Sequence, residues 1–207
     1  MIDNFLRPAE SRARMGADAL RILGTLSVLV ALLLHGLTDA AIVAFALPGL
    51  MLPRFVGMRP WADIAVSVTL LVAAWSNVFD LYTRIWWWDI VVHFVCAGAL
   101  AVVAYLFLAH RGIVPATADG GVPAVAAVVL TTAFGLALGA LWEMVEWFGY
   151  TYLTDRIYVT LDDTIGDMAA GGLGALAAGL LLAYGPRLWD PTALPTTRQS
   201  PDAASHC

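Results

Sequence analysis

Six apolar runs dominate the chain, at residues 20–36, 38–52, 61–77, 87–109, 122–147 and from 163 to just before Gly185-Pro186. A helix needs ~20 apolar residues to cross a bilayer, and lipid offers the backbone no hydrogen-bond partner except itself. The expected fold is therefore all-α, a polytopic bundle of about six transmembrane helices. The first two runs are short for a full span and read equally well as a tilted hairpin. Residues 22–34 followed by Thr38-Asp39-Ala40 have the outline of a signal peptide, but the preceding segment is long and five further apolar runs follow, which sets that reading aside. Composition agrees: 60% hydrophobic and 13% charged residues, with a mean hydropathy of +0.79, exclude an ordinary soluble domain.

The arginines orient the bundle. With six spans both termini share a side, and arginines 7, 12, 14, 21, 54, 59, 111, 187 and 198 fall there, against Arg84 and Arg156 opposite. By the positive-inside rule the termini are expected in the cytoplasm and the protein in the cell inner (plasma) membrane. Residues 1–21 then form a cytoplasmic N-terminal segment, 22–184 the membrane domain, and 185–207 a disordered cytoplasmic tail rich in Pro, Thr, Ser and Asp. Eleven arginines without a lysine, within a net charge of −5, offer nothing to nucleic acid. Cys96 lies in an apolar run and Cys207 at the last position, poorly placed for a disulfide; Cys96 reads as a packing residue.

Polar residues at the outer ends of the helices carry the functional signal. Trp86-Trp87-Trp88 mark a helix meeting the headgroups, and Asp89 and His93 follow it four residues apart on one face. Glu143 and Glu146 end the next helix, and Asp163 and Asp167 begin the one after. Four residues rise about 6 Å, so the three pairs share one shallow depth. Gly135, Gly139 and Gly171 continue the same faces as a small-residue stripe that lets helices approach closely.

Six acids, namely Asp89, Glu143, Glu146, Asp162, Asp163 and Asp167, cannot all stay ionised in a partly dry pocket. Protons, the two outer arginines or divalent cations must neutralise them. Oxygen ligands with one imidazole suit Mg, Mn, Zn or non-haem Fe. The expected ligands are Asp89, His93, Glu143, Asp163 and Asp167, with Glu146 a spare carboxylate able to act as general base and Arg84 and Arg156 able to hold an anionic headgroup. Plainer roles exist for each. Asp162 or Asp163 could cap the sixth helix, Glu146 could be a wet interfacial residue, and His93 could be a neutral core histidine bonded to Asp89. His35 and Asp39, at the outer end of the first hairpin, could join the cluster.

Three stretches carry a family resemblance: Leu81-Tyr82 through Trp88-Asp89-Ile90-Val91-Val92-His93-Phe94, Ala140-Leu141-Trp142-Glu143-Met144-Val145-Glu146-Trp147, and Asp163-Thr164-Ile165-Gly166-Asp167-Met168. In this order they resemble the YjdF-like family of bacterial inner-membrane proteins, uncharacterised in activity and more distantly similar in layout to VanZ-like proteins. The resemblance covers about residues 20–182 and implies the fold and the site positions, but no reaction. Where that pattern has Asn four residues after the second Asp, this chain has Gly171, so no amide ligand is implied.

The expected function is metal-dependent hydrolysis or transfer on a lipid-linked or envelope substrate at the bilayer surface. The alternative is a cation- or proton-coupled transporter or binding protein using the same acids. A transport path calls for ionisable groups deeper in the membrane, and the inner halves of the runs read as almost purely apolar. A third reading is structural, with acids that only pair helices.

Overall fold

The computed structural model describes residues 1–115, 123–154, 157 and 159–190. They form nine helices: α1 (Ile2–Leu6), α2 (Arg12–Leu34), α3 (Leu37–Phe45), α4 (Leu47–Phe55), α5 (Pro60–Val78), α6 (Leu81–Arg84), α7 (Trp88–His110), α8 (Ala124–Tyr152) and α9 (Leu161–Tyr184). Among the described residues there is no strand beyond one isolated bridge between Met58 and Trp189. Six segments are long and apolar enough to cross a membrane: α2, α3 with α4, α5, α7, α8 and α9. The all-α transmembrane bundle expected from the apolar runs is the fold observed.

Boundaries follow local chemistry. The Ser11 hydroxyl accepts from the Arg14 amide at 3.2 Å, so α2 starts at Arg12, ahead of the expected start near residue 20. That places Arg14, Asp18 and Arg21 on the helix itself. The second run is a broken helix. Pro48 has no amide hydrogen to donate, so α3 ends at Phe45 and α4 restarts after Ala46. Pro60 occupies the first position of α5, where its missing donor costs nothing. Thr160 caps α9, its hydroxyl accepting from the Asp163 amide at 3.3 Å. Neither Asp162 nor Asp163 is the cap.

Two bodies of packing hold the bundle. At the end bearing Met1 and Asp190, the termini of the described chain, Leu50, Met58, Val103, Tyr105, Leu106 and Trp189 form a buried core. The segment after α9 is tied into it by the bridge at Met58 and by hydrogen bonds from Arg59 N to Leu188 O and from Asp190 N to Gly57 O, at 2.8 and 2.9 Å. Gly57 sits at φ +72°, a left-handed turn that a side chain would resist. Residues 185–190 of the expected disordered tail are thus packed onto the bundle, and the rest of it lies outside the described residues.

Helices α7, α8 and α9 pack on one another through small residues. A Cβ added at Gly98 would stand 2.7 Å from the Gly174 carbonyl oxygen, and one at Gly174 would overlap the Phe94 carbonyl. The two helices therefore touch backbone to backbone from Phe94, next to His93, to Gly98. Gly135 serves the α8–α9 contact against Ala175, and Gly171 meets Ala97. Gly139, expected in the stripe, has nothing within 4 Å of where a Cβ would lie and makes no such contact.

The termini-bearing end also holds a buried charge network that the apolar reading of those halves did not contain. Asp63 on α5 is fully buried and accepts from Arg14 Nη1 at 3.2 Å and Arg21 Nη2 at 2.5 Å, both on α2. Arg21 also donates to Asp18 at 2.9 Å and to the Leu50 carbonyl at 3.1 Å. Arg54 of α4 donates to the Arg7 carbonyl and lies 3.8 Å from Asp18.

Candidate metal centre

Acids from three helices converge on one imidazole. The close contact of α7 and α9 at Phe94 and Gly174, with Gly171 beside the His93 carbonyl, sets His93 opposite Asp167, which lies about two turns before Gly174 on α9. His93 Nε2 lies 3.3 Å from Asp89 Oδ1, one turn back on α7, and 3.9 Å from Asp167 Oδ2 on α9. On the other edge of the ring, Nδ1 is 4.0 Å from Glu143 Oε1 on α8. His93, Glu143 and Asp167 are nearly withdrawn from solvent, while Asp89 remains partly open.

These spacings fit shared coordination. Two atoms each about 2.1 Å from an ion and 90–110° apart are separated by ~3.0–3.4 Å. On the Nε2 side the observed 3.3 and 3.9 Å need only a small inward movement. Two trios have ligand atoms within 4.8 Å of one another: Asp89, His93 and Asp167, and His93, Glu143 and Glu146. One ring nitrogen can bind an ion while the other orients the ring through a carboxylate, so the two trios suit ligand and supporting roles. Glu143 Oε1 is buried without a hydrogen-bond partner among the described residues, an arrangement that costs stability unless something fills it.

The other expected site residues fall around this centre. Asp163, half-buried a turn before Asp167, stands in the field of Asp89 and His93 but in neither trio. Asp162 is exposed. Arg84 is exposed and pairs with Asp80 at 3.8 Å. Arg156 lies outside the described residues. His35 stands edge-on to the Trp75 and Phe79 rings, each 6.1 Å away, and neither it nor Asp39 enters the trios.

Trp86, mostly exposed, and Trp87 behave as interface anchors, whereas Trp88 turns inward and donates to Ser76 Oγ at 2.9 Å. Tyr82, on α6 beside the acids, was not singled out as a site residue. Its hydroxyl donates to the Ala73 carbonyl at 2.8 Å, and burial, with the nearby carboxylates of Asp89 and Glu146, keeps the phenol protonated well above its ordinary range. Its place in the first quoted motif was the available signal.

What the arrangement can do chemically is narrow: hold a cation, or share protons among acids. No curated protein and no solved structure matches the chain. One family model matches residues 20–187, which takes in all three helices of the centre, and the chain belongs to the family described as predicted membrane protein (DUF2238).

Proposed function

We propose that the protein is a divalent-cation-dependent membrane enzyme, with Asp89, His93 and Asp167 as ligands on the Nε2 side of the ring. The supporting observation is the convergence of α7, α8 and α9 on His93, with the buried Glu143 Oε1 left without a hydrogen-bond partner among the described residues. Glu143 orients the imidazole or completes the ligand set, and Asp163 stands at the rim as a further ligand. An ion in such a site lowers the pKa of its bound water and polarises a phosphoryl or acyl oxygen. Glu146, in the second trio with His93 and Glu143, would accept the proton of such a water. Arg84, which is exposed, and Arg156 would hold the anionic headgroup of a lipid-linked substrate. The ion fits Mg, Mn, Zn or Fe by its oxygen-rich donor set.

Transport through this centre meets an obstacle. Directly below His93, the backbones of α7 and α9 are in contact at Phe94 and Gly174, which leaves no room for a hydrated ion. The charge network around Asp63 belongs to α2, α4 and α5, so it does not extend the acid cluster inward.

Metal content of the protein purified in mild detergent tests the reading. Asp167→Asn and His93→Ala are expected to lower bound metal to a similar extent, because each removes a group that faces the ion. Asp162→Asn should leave metal content unchanged and cost under about 1 kcal/mol, the value of an exposed acid at a helix N-terminus. Chelation should lower thermal stability and the returned ion restore it, by ~2.7 kcal/mol at a hundredfold excess over Kd. Absence of both metal and chelator effect would leave the acids as helix-pairing groups.

Orientation has its own check. The arginine asymmetry, nine on the side of the termini against two opposite, supports placing the centre outside and both termini in the cytoplasm. Cysteines at Tyr150, Leu153 and Thr154 are expected to react with a membrane-impermeant thiol reagent in intact cells. Cysteines at Gly112 and Ile113 are expected to stay unlabelled until the membrane is opened. Reversed labelling would place the centre on the inside.

A further inference from the structure

We propose that the charge network at the termini-bearing end forms one wall of a binding site for a phosphate-bearing amphiphile, a phospholipid held by its headgroup. A cavity of about 470 Å³ opens between α1, α2 and α4. Its wall is divided. Arg7, Arg21, Arg54 and Asp18 line one part, and Ile22, Leu26 and Met51 line another. Ile22 and Leu26 are exposed along α2, so the apolar part runs out onto the surface that faces lipid. A charged part joined to an apolar track is the shape of a lipid, whereas a free anion has no use for the track.

The charges leave a surplus. Arg14, Arg21 and Arg54 face two acids, Asp18 and Asp63, and Asp63 is fully buried and already engaged by Arg14 and Arg21. Asp18 is held by Arg21 at 2.9 Å. Arg54 directs Nη2 to the Arg7 carbonyl and its Nε towards Asp18, and Nη1 takes no part in those contacts. The Arg54 side chain is itself almost wholly buried, so its charge meets a ligand with little screening. Arg7, at the mouth, pairs with Asp190 across a half-exposed contact of 3.4 Å that a phosphate can replace at small cost. Arginines placed this way bind phosphate oxygens through two parallel N–H donors. The site lies at the opposite end of the bundle from His93 and stands independently of any ion there.

The test uses the full chain in a neutral detergent, with native mass spectrometry to count retained lipid. Short-chain phosphatidylglycerol is expected to be retained over phosphatidylcholine by roughly fivefold, the effect of about one additional arginine–anion contact. Arg54→Gln should abolish the preference. Leu26→Trp, which fills the apolar track and leaves every charge in place, should lower retention of both lipids. Arg7→Gln, at an exposed position that does not threaten folding, should weaken the preference even if Arg54→Gln fails to fold. Millimolar inorganic phosphate should displace neither lipid; displacement would assign the site to a free anion and overturn the lipid reading. Equal retention of both lipids by the unmodified protein, retention unchanged by Leu26→Trp, or a preference untouched by Arg7→Gln, would overturn the site.

Discussion

Gly174→Ala is expected to destabilise the protein by about 3 kcal/mol or more, although it adds one methyl group. Overpacking a well-packed interior by a methylene costs ~1–3 kcal/mol when side chains can move aside. Here the obstacles are main-chain atoms of Phe94: the carbonyl oxygen, the carbonyl carbon at 2.6 Å and Cα at 2.9 Å. Relief requires α7 and α9 to separate, which also draws His93 away from Asp167. The variant should therefore lose thermal stability and whatever metal the protein retains together. Gly139→Ala is the matched control. It faces open space, and the better helix propensity of alanine should make it neutral or stabilising by up to ~1 kcal/mol. Thermal unfolding of the two variants in one detergent decides the matter. Equal midpoints would mean that the α7–α9 approach does not set the site.

That pair of glycines also marks how far the sequence carries. The four-residue steps from Gly135 to Gly139 to Glu143 were visible, and Gly135 does meet Ala175, but spacing alone cannot say where a neighbouring helix crosses. Crossing points depend on the tilt of two helices, so Gly139 and Gly174 look alike until both are placed. The acids were more legible. Asp89 with His93, and Asp163 with Asp167, are paired by helical periodicity, a local property that no partner alters. Depth then separates Asp167, buried opposite His93, from Asp163 at the rim. The network at the other end was hidden for a different reason. Asp63, three residues after Pro60, reads as an ordinary acid favoured by a helix N-terminus. Its partners are 49 and 42 residues away in sequence. One signal did exist: Arg14, Asp18 and Arg21 fall at i, i+4 and i+7, a charged stripe on a single face. It becomes visible only once α2 is extended back to Arg12.

Asp63→Ala should cost roughly 3–5 kcal/mol, the usual penalty for removing one member of a buried ion pair. Asp63 has no solvent exposure, and Arg21 has almost none. Without the carboxylate, two guanidinium groups that both aimed at it, Arg14 Nη1 and Arg21 Nη2, are left facing one another across a dry contact between α2 and α5. Neither can retreat easily, because Arg14 also holds the Met58 carbonyl at 3.0 Å and Arg21 the Leu50 carbonyl. The loss comes from the unpaired positive charge more than from the lost attraction. Removing the more deeply buried pair, as in Asp63→Leu with Arg21→Met, leaves only the partly exposed Arg14 and should therefore recover a large part of the stability, and the two substitutions should be strongly non-additive. An exposed pair provides the contrast: Arg84→Ala, which breaks the 3.8 Å contact to Asp80 in open solvent, should change stability by no more than ~0.5 kcal/mol. Denaturation midpoints for the two single variants, the double variant and Arg84→Ala complete the comparison. If Asp63→Ala unfolds no earlier than Arg84→Ala, the arginines have found other partners, and the charge network does not hold α2 against α5.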